Sequence, residues 1–406
     1  MKSKLDVSAL FHCAMKNSKY INTFRITITL KEKIDEVILQ QVVDELIHQY
    51  PTICSRITKD FFWYYTKSLK SIKVQKDKDI FSTIDEHSIY ENAIAIFYKN
   101  NTISVEIFHG VSDGHGVFVY VHDLITQYIY KKYHLENNEN ISIESQITDA
   151  FVETPTKTYK KQDSINYKNN FQFSKRTTNA TTKVTTLKIN IQEIKELASK
   201  HSCTINELLL SLFYQSILNK KHNKNVFISV PINLRRTFKS NTVKNFTLIA
   251  NLKMKFQEGL SIENLIQEIK MQMNKHKNKE YLGYEIKKVK RLNKYTYYLP
   301  IFIKNIGIRL GAFFVGDKGC MTISNVGKIS FKDNRIHDYI DSMDAILCPR
   351  SSTPYNCGIV TINNNLHINI THDDYNEDLI FNLEKELNRL NIQFTKFDYQ
   401  ERLNYC

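Results

Sequence analysis

The chain's 406 residues, 42% of them hydrophobic and including 23 Phe and 23 Tyr, are too apolar for a disordered segment and too many for one ordinary core, so two folded domains are expected. A formal net charge of +14 points either to a partner that carries phosphates, such as nucleic acid or coenzyme A, or to a lysine-, asparagine- and isoleucine-rich composition spread everywhere. The lysines are dispersed and no helix-turn-helix, zinc-finger or RNP-type motif is present, which favours the second explanation and excludes a nucleic-acid partner. Lys287, Lys288, Lys290 and Arg291 remain as one candidate phosphate-binding cluster.

In chain order, apolar patterning predicts a strand over 22–30, a helix over 34–50 and strands within 53–75. The run Phe61-Phe62-Trp63-Tyr64-Tyr65 is far too short to span a bilayer and reads as a strand facing the core or a hydrophobic substrate. Strands over 94–99 and 102–108 and a helix over 115–131 follow. Residues 134–182 become rich in Asn, Lys, Thr and Ser and lose their periodicity, as a crossover between domains would, with one short helix over 144–153. The second half restarts with a strand over 183–189 and a helix over 191–200. Thr204-x-x-Glu207 is a capping box that opens a helix over 208–220. Strands over 226–231 and 246–256 lead to an amphipathic helix over 261–277. Strands over 321–324, 340–347, 358–362 and 366–371 follow, with Asn363-Asn364-Asn365 as a hairpin loop, and a helix over 376–390 closes the chain. The expected organisation is a first lobe over 1–160, a linker over 161–182 and a second lobe over 183–406. No run of about 18 apolar residues is present, so no transmembrane helix is expected, and the N-terminus lacks the pattern of a signal peptide. Seven cysteines, scattered and without a Cys-x-x-Cys pair, suit free thiols in a cytoplasmic protein.

The most informative stretch is Ile107-Phe108-His109-Gly110-Val111-Ser112-Asp113-Gly114. The strand before it alternates and is rich in β-branched residues, and Asp113-Gly114 is a turn signal ahead of a helix. His109 is therefore held by rigid backbone yet open on one side, a good seat for a general base. Other uses of these residues fail on spacing. Ser112 lacks the Gly-x-Ser-x-Gly elbow and the oxyanion glycines of a hydrolase. His109, Asp113 and His115 offer side chains on one turn with no pattern to supply a fourth ligand, so no metal is expected.

His-x-x-x-Asp-Gly after a strand resembles the active-site motif of the chloramphenicol acetyltransferase-like superfamily, which includes condensation domains of peptide synthetases, plant acyltransferases and alcohol acetyltransferases. Many members have two consecutive histidines. Here Phe108 occupies the first position and His109 the second, which is the catalytic one in the family. Three more segments resemble the family in the expected order. Residues 34–56, ending in Tyr50-Pro51-Thr52-Ile53-Cys54-Ser55-Arg56, look like its first long helix and the turn into a strand. Val230-Pro231-Ile232-Asn233-Leu234-Arg235-Arg236, followed by Asn245-Phe246, is similar to its arginine-ended strand. Thr322-Ile323-Ser324-Asn325-Val326-Gly327 resembles its serine-asparagine-x-glycine strand.

The resemblance implies an α/β fold with mixed sheets, in two similar lobes with the active-site tunnel between them. It implies an acyltransferase, nearest to the alcohol acetyltransferase branch, that moves an acyl group from a thioester to a hydroxyl or amine of a small molecule. Acyl-CoA would be the co-substrate, no cofactor would stay bound, and His109 would be the general base. It also implies a structural ion pair between Asp113 and Arg235. Asp113 equally suits capping the helix that follows, and the two roles are compatible. Gly114 would permit a turn or close packing beside the base. Ser324 and Asn325 would lie near the active site, where a hydroxyl or amide can stabilise an oxyanion, with an ordinary Asn-x-Gly turn around Gly327 as the equal alternative. A monomer is expected. Two other readings stand: a condensation-type enzyme that takes its acyl group from a carrier protein, and a catalytically silent ligand-binding relative, which Phe108 keeps open.

Overall fold

The structure is a computed structural model that describes residues 2–17, 21–78, 80–81, 83–136, 149–156, 158–161, 169–174, 181–218, 224–255, 260–315, 319–349, 353–373 and 377–401. Its first half runs β1 (Lys2–Lys4), α1 (Val7–Met15), β2 (Thr23–Leu30), α2 (Glu36–Leu46), β3 (Ser55–Lys59), β4 (Tyr64–Ser68), β5 (Gln75–Lys76), β6 (Ile94–Lys99), β7 (Thr102–Phe108), α3 (Gly114–Lys132) and α4 (Ala150–Glu153). The second half runs β8 (Thr182–Asn190), α5 (Ile191–Lys200), α6 (Ile205–Leu218), β9 (Asn225–Asn233), α7 (Arg235–Phe238), β10 (Thr247–Lys255), α8 (Ile262–Lys277), α9 (Lys279–Thr296) and α10 (Ile301–Val315). It ends with β11 (Met321–Lys328), β12 (Ile340–Leu347), β13 (Asn356–Ile362), β14 (Asn365–Asp373), α11 (Asp378–Arg389) and β15 (Phe394–Asp398).

Polar side chains open the helices, among them the capping box that the sequence predicts. Asp35 accepts from the amides of Val37 and Ile38 at the start of α2, and Asn190 from that of Gln192 in α5. The capping box at α6 is reciprocal: the Thr204 amide donates to Glu207 Oε2 (2.8 Å) and the Glu207 amide to Thr204 Oγ1 (3.2 Å). Each such bond satisfies an amide that the helix itself leaves unpaired.

The strands form mixed sheets, as expected. A five-stranded sheet has the order β12-β2-β7-β6-β5 and a seven-stranded sheet the order β10-β9-β11-β13-β14-β8-β15. A small sheet, β1-β4-β3, stands beside the first. Two apolar cores result. Leu39, Val42, Val43 and Leu46 of α2 and Val117, Val121 and Leu124 of α3 cover one face of the five-stranded sheet. Leu209, Leu212 and Phe213 of α6 and Leu265 and Ile269 of α8 cover the seven-stranded sheet.

The second half of the chain also contributes to the first sheet. β12 pairs antiparallel with β2, from Ile340↔Leu30 to Leu347↔Phe24. β13 lies between the two cores. Its Cys357 and Ile359 belong to the second core, and Val360 and Ile362 to the first, as strand alternation allows. Between them Gly358 lets the sheets touch backbone to backbone, since an added Cβ would meet the Ala345 carbonyl oxygen at 2.0 Å.

Some elements differ from expectation. Phe61 and Phe62 are exposed in the turn between β3 and β4, and the aromatic run becomes strand only from Tyr64. The turn is set by the Asp60 carboxylate, which accepts from the Phe62 and Trp63 amides and so holds the chain out of the ladder. β1, α1, α9, α10 and β15 were not expected. Of the helix predicted over 144–153, residues 144–148 lie outside the described residues and α4 starts at Ala150. Much of the linker over 161–182 also lies outside them.

Gly358→Ala should force β12 and β13 apart. Overpacking of this kind costs about 1–3 kcal/mol, to be read as a lower urea midpoint. An unchanged midpoint would show that the sheets part here without cost.

Candidate active site

His109 is the first residue after β7, and its amide donates to the Asn22 carbonyl (2.7 Å), extending the pairing of β7 with β2 by one step. Phe108 is fully buried in the first core. Alternation along the strand turns the next side chain the other way, so His109 is half-buried at the edge of that core. Phe24 meets the imidazole edge to face, at 5.1 Å between ring centres. His12 of α1 stacks on it at 4.5 Å, and Asn22 Nδ2 donates to His12 Nδ1 (2.5 Å).

The imidazole's tautomer follows from its partner. His109 Nδ1 is 3.0 Å from Asn245 Oδ1. The other end of that amide, Asn245 Nδ2, donates to Asp6 Oδ2 (3.2 Å), which turns Oδ1 toward the histidine. An amide oxygen only accepts, so the His109 proton sits on Nδ1 and Nε2 carries the lone pair. Asp6 is itself fixed as the N-cap of α1, accepting from the Ala9 amide (2.8 Å) and the Ser8 hydroxyl (2.6 Å). Burial pushes the Asp6 carboxyl up, against the pull of those hydrogen bonds. Its neighbour Asp149, which accepts from the Val7 amide (3.0 Å), is pushed up to about 6 by burial and by the charge of Asp6.

Asp113 turns away from the histidine. It caps α3 by accepting from the Gly116 amide (3.2 Å) and forms a two-pronged ion pair with Arg235, with both N···O distances 2.9 Å. The Phe246 amide and the Thr247 hydroxyl also donate to Oδ2, each at 2.8 Å. Arg235 spends its other donors on the carbonyls of Thr242 (2.7 Å) and Lys244 (2.6 Å) and on Asn233 Oδ1 (3.2 Å). Burial pushes the Asp113 carboxyl up, but the Arg235 charge and the hydrogen bonds from Arg235, Phe246 and Thr247 outweigh it and hold it below the usual carboxylate range. Capping and pairing thus occur together.

Ser112 is buried, with its hydroxyl donating to the Val243 carbonyl (2.5 Å). The close packing in this turn falls on Gly116, where an added Cβ would meet that carbonyl oxygen at 2.1 Å. At Gly114 an added Cβ would meet nothing within 4 Å, so close packing does not require glycine there.

Ser324 and Asn325 lie on β11, away from these bonds. Asn325 Nδ2 donates to Asn206 Oδ1 (3.3 Å), and its Oδ1 accepts from the Gly327 amide (2.9 Å). This holds a bulge between Asn325 and Gly327, whose φ of +88° favours glycine. The side chain of Asn325 is therefore committed to the turn. Ser324 pairs in register with Gly358 and shares with it the sheet face turned toward the first lobe. Its hydroxyl has no hydrogen-bond partner among the described residues. Asn245, Asp6 and His12 carry no local motif. Asn245 stands 136 residues from His109, and only the need of a base for an acceptor at Nδ1 hints at such a residue.

No family model matches the sequence, and no curated protein matches it. Solved structures share its fold across nearly the whole chain. TRI3 trichothecene 15-O-acetyltransferase from Fusarium sporotrichioides superposes with a TM-score of 0.64 at 11% identity, covering 96% of this chain and 94% of its own. F. sporotrichioides TRI101, solved with coenzyme A and T-2, gives 0.62 at 8%, covering 97% and 99%. The first condensation domain of the calcium-dependent antibiotic synthetase gives 0.59 at 11%, covering 97% and 99%. The fold is thus the two-lobed one that these acetyltransferases and this condensation domain share, as the sequence resemblance implies.

Asp113→Ala leaves Arg235 buried without its counter-charge and should destabilise the protein by about 3–5 kcal/mol, measured by urea unfolding at neutral pH. Since the folded carboxyl titrates below its unfolded value, its contribution is present above the ordinary carboxylate pKa and is lost as pH falls through the folded one. The gap between wild type and variant should therefore narrow in acid. A variant with wild-type stability would remove the pair from its structural role.

Proposed function

We propose that the protein is an acyltransferase that moves an acyl group from acyl-CoA to the hydroxyl or amine of a small molecule, with His109 as general base. The observation that carries this reading is the held imidazole: Nδ1 is tied to Asn245 at 3.0 Å, which puts the basic lone pair on Nε2. Nε2 takes the acceptor's proton as its oxygen or nitrogen attacks the thioester carbonyl. The tetrahedral intermediate collapses, the C–S bond breaks, and the imidazolium returns the proton to the departing thiolate. The unpartnered hydroxyl of Ser324 is the candidate donor to the oxyanion. Asp113 and Arg235 hold the loop and do not touch substrate in this scheme.

The fold's occurrence in acetyltransferases, one of them solved with coenzyme A, supports acyl-CoA as donor. Its occurrence in a condensation domain supports a carrier-protein thioester as the second donor, which differs in what holds the pantetheine arm. Phe108 weighs little toward a silent relative, because its side chain lies in the core and its replacement of a histidine takes no group from beside Nε2.

Thiol release with a panel of acyl-CoAs, alcohols and amines tests the reading. Release should depend on an acceptor and fall by about 10²–10⁴ in His109→Ala, with little change in melting temperature. Turnover that survives in that variant would overturn the mechanism. If no acyl-CoA serves, a carrier-loaded acyl group is the donor to test. Asn245→Ala frees the ring's tautomer and should lower kcat by about tenfold or more at nearly constant KM, since Asn245 acts through the ring.

A further inference from the structure

α10 is built the wrong way round for a helix on a water-facing surface. One of its two cations turns to the protein: Lys304 is 4% exposed, donating to the Phe62 and Tyr297 carbonyls (2.9 Å each) with its ammonium 4.1 Å from the Trp63 ring centre, while Arg309 is exposed. Arg309 Nε donates to the Ala14 carbonyl of α1 (2.7 Å). The stripe opposite Lys304, formed by Phe302, Ile303, Ile306 and Leu310 with Arg309 on its flank, is exposed, with Phe302 at 57% and Ile306 at 54%. These positions fall within about 100° of helix circumference, so they form one apolar face. Backbone bonds join the exposed Phe61 and Phe62 to it, since the Ile301 amide donates to the Phe61 carbonyl (2.8 Å) and Lys304 reaches that of Phe62. Large contiguous apolar patches of this kind mark interaction sites.

Charge says what covers the patch. Residues 279–312 hold eight Lys or Arg and two Glu, a net +6 out of the chain's +14. On the last turns of α9, Arg291 and Lys294 are exposed and have no acidic partner among the described residues. Tyr295 and Tyr298 are exposed beside them, Tyr298 at 82%. Aromatic residues with an apolar body and a polar tip, an apolar helix face and a basic rim together match the surface of an anionic bilayer. A second copy of the chain would bring the same positive rim against its like. α10 has 15 residues, too few to span, so it would lie in the interface.

We propose that the end of α9, the outer face of α10 and the β3–β4 turn form a docking surface for membranes rich in anionic lipid. The face lies on the outer side of α10, whose inner side packs on α1, the helix that sets His12 against His109. The proposal does not depend on the chemistry assigned to that site.

Flotation of the full chain with phosphatidylcholine vesicles, with and without phosphatidylserine, tests it. Wild type should float with the serine-containing vesicles, weakly or not at all with phosphatidylcholine alone, and less as salt rises. Phe302→Ser with Ile306→Ser, and separately Arg291→Glu with Lys294→Glu, should each weaken binding on the order of tenfold or more at unchanged melting temperature. These side chains are exposed, so folding is not at stake. No flotation with phosphatidylserine at low salt, or binding that both variants retain, would overturn the proposal. Sedimentation of the same proteins supplies the other arm: a wild-type dimer that the Phe302→Ser, Ile306→Ser variant dissolves, without flotation, would assign the face to a second copy and overturn lipid docking.

Discussion

The buried pair of Asp113 and Arg235 is the interaction on which the site depends. Each ion would cost several kcal/mol to bury alone, and the pair is tolerable because every strong donor and acceptor is matched. What the pair organises is more telling than what it contributes. Arg235 Nη2 donates to the Lys244 carbonyl, and Asp113 accepts from the Phe246 amide. Those residues bracket Asn245. The ion pair therefore pins both sides of the residue that holds His109, while its Asp113 end caps the helix that follows the histidine. One charge interaction aligns the strand end that carries His109 with the imidazole's hydrogen-bond partner, although they lie 136 residues apart.

Other buried polar groups hold the sheets in register around this point. Arg25 of β2 donates to Glu106 Oε1 (3.0 Å) on β7 and pairs with Asp77, while Thr27 bonds to Ser104 (2.9 Å) and to Tyr399. Glu106 lies three residues before His109, so a one-residue slip of β7 would expel both a buried carboxylate and the histidine from their places. Between the lobes, Asp344 of β12 lies 3.2 Å from His367 Nδ1 of β14, and Asn369 donates to Asp344 (2.9 Å) while accepting from the Ala345 amide (3.3 Å). Polar contacts at this depth penalise misalignment more than apolar ones, because a displaced partner leaves a desolvated group behind.

The strand, the histidine after it, the turn and the Asp-capped helix were legible in the sequence because each is a local pattern with a local cause. The same holds for the Thr204–Glu207 box. Arg235 was legible through its strand-end motif. Asn245, Asp6 and His12 were not, since nothing in their neighbours reports a partner more than a hundred residues away. The tight contact went to Gly116 rather than Gly114 because it depends on where the Val243 carbonyl arrives, which is a tertiary fact. The same limit explains β12, whose apolar pattern is that of a strand but does not say which sheet it joins, and Phe61 and Phe62, whose composition suggests a core they do not enter. α10 was not legible for a related reason: Lys304 turns inward and its exposed stripe is apolar, so no apolar-in, polar-out rhythm is written in it.

α1 connects the two surfaces of interest. Asp6 at its N-terminus receives Asn245, His12 on its second turn stacks on His109, and the Ala14 carbonyl near its end accepts from Arg309 of α10. A nine-residue helix is marginal by itself in water and holds its position through such contacts. Its position is therefore set jointly by the amide that orients His109 and by the helix that presents the apolar face. A load on α10 is borne in part by α1, and α1 meets the imidazole ring face to face. The seat of His109 and the exposed face of α10 are thus mechanically adjacent, which is a property of packing and holds whatever substrate the site takes.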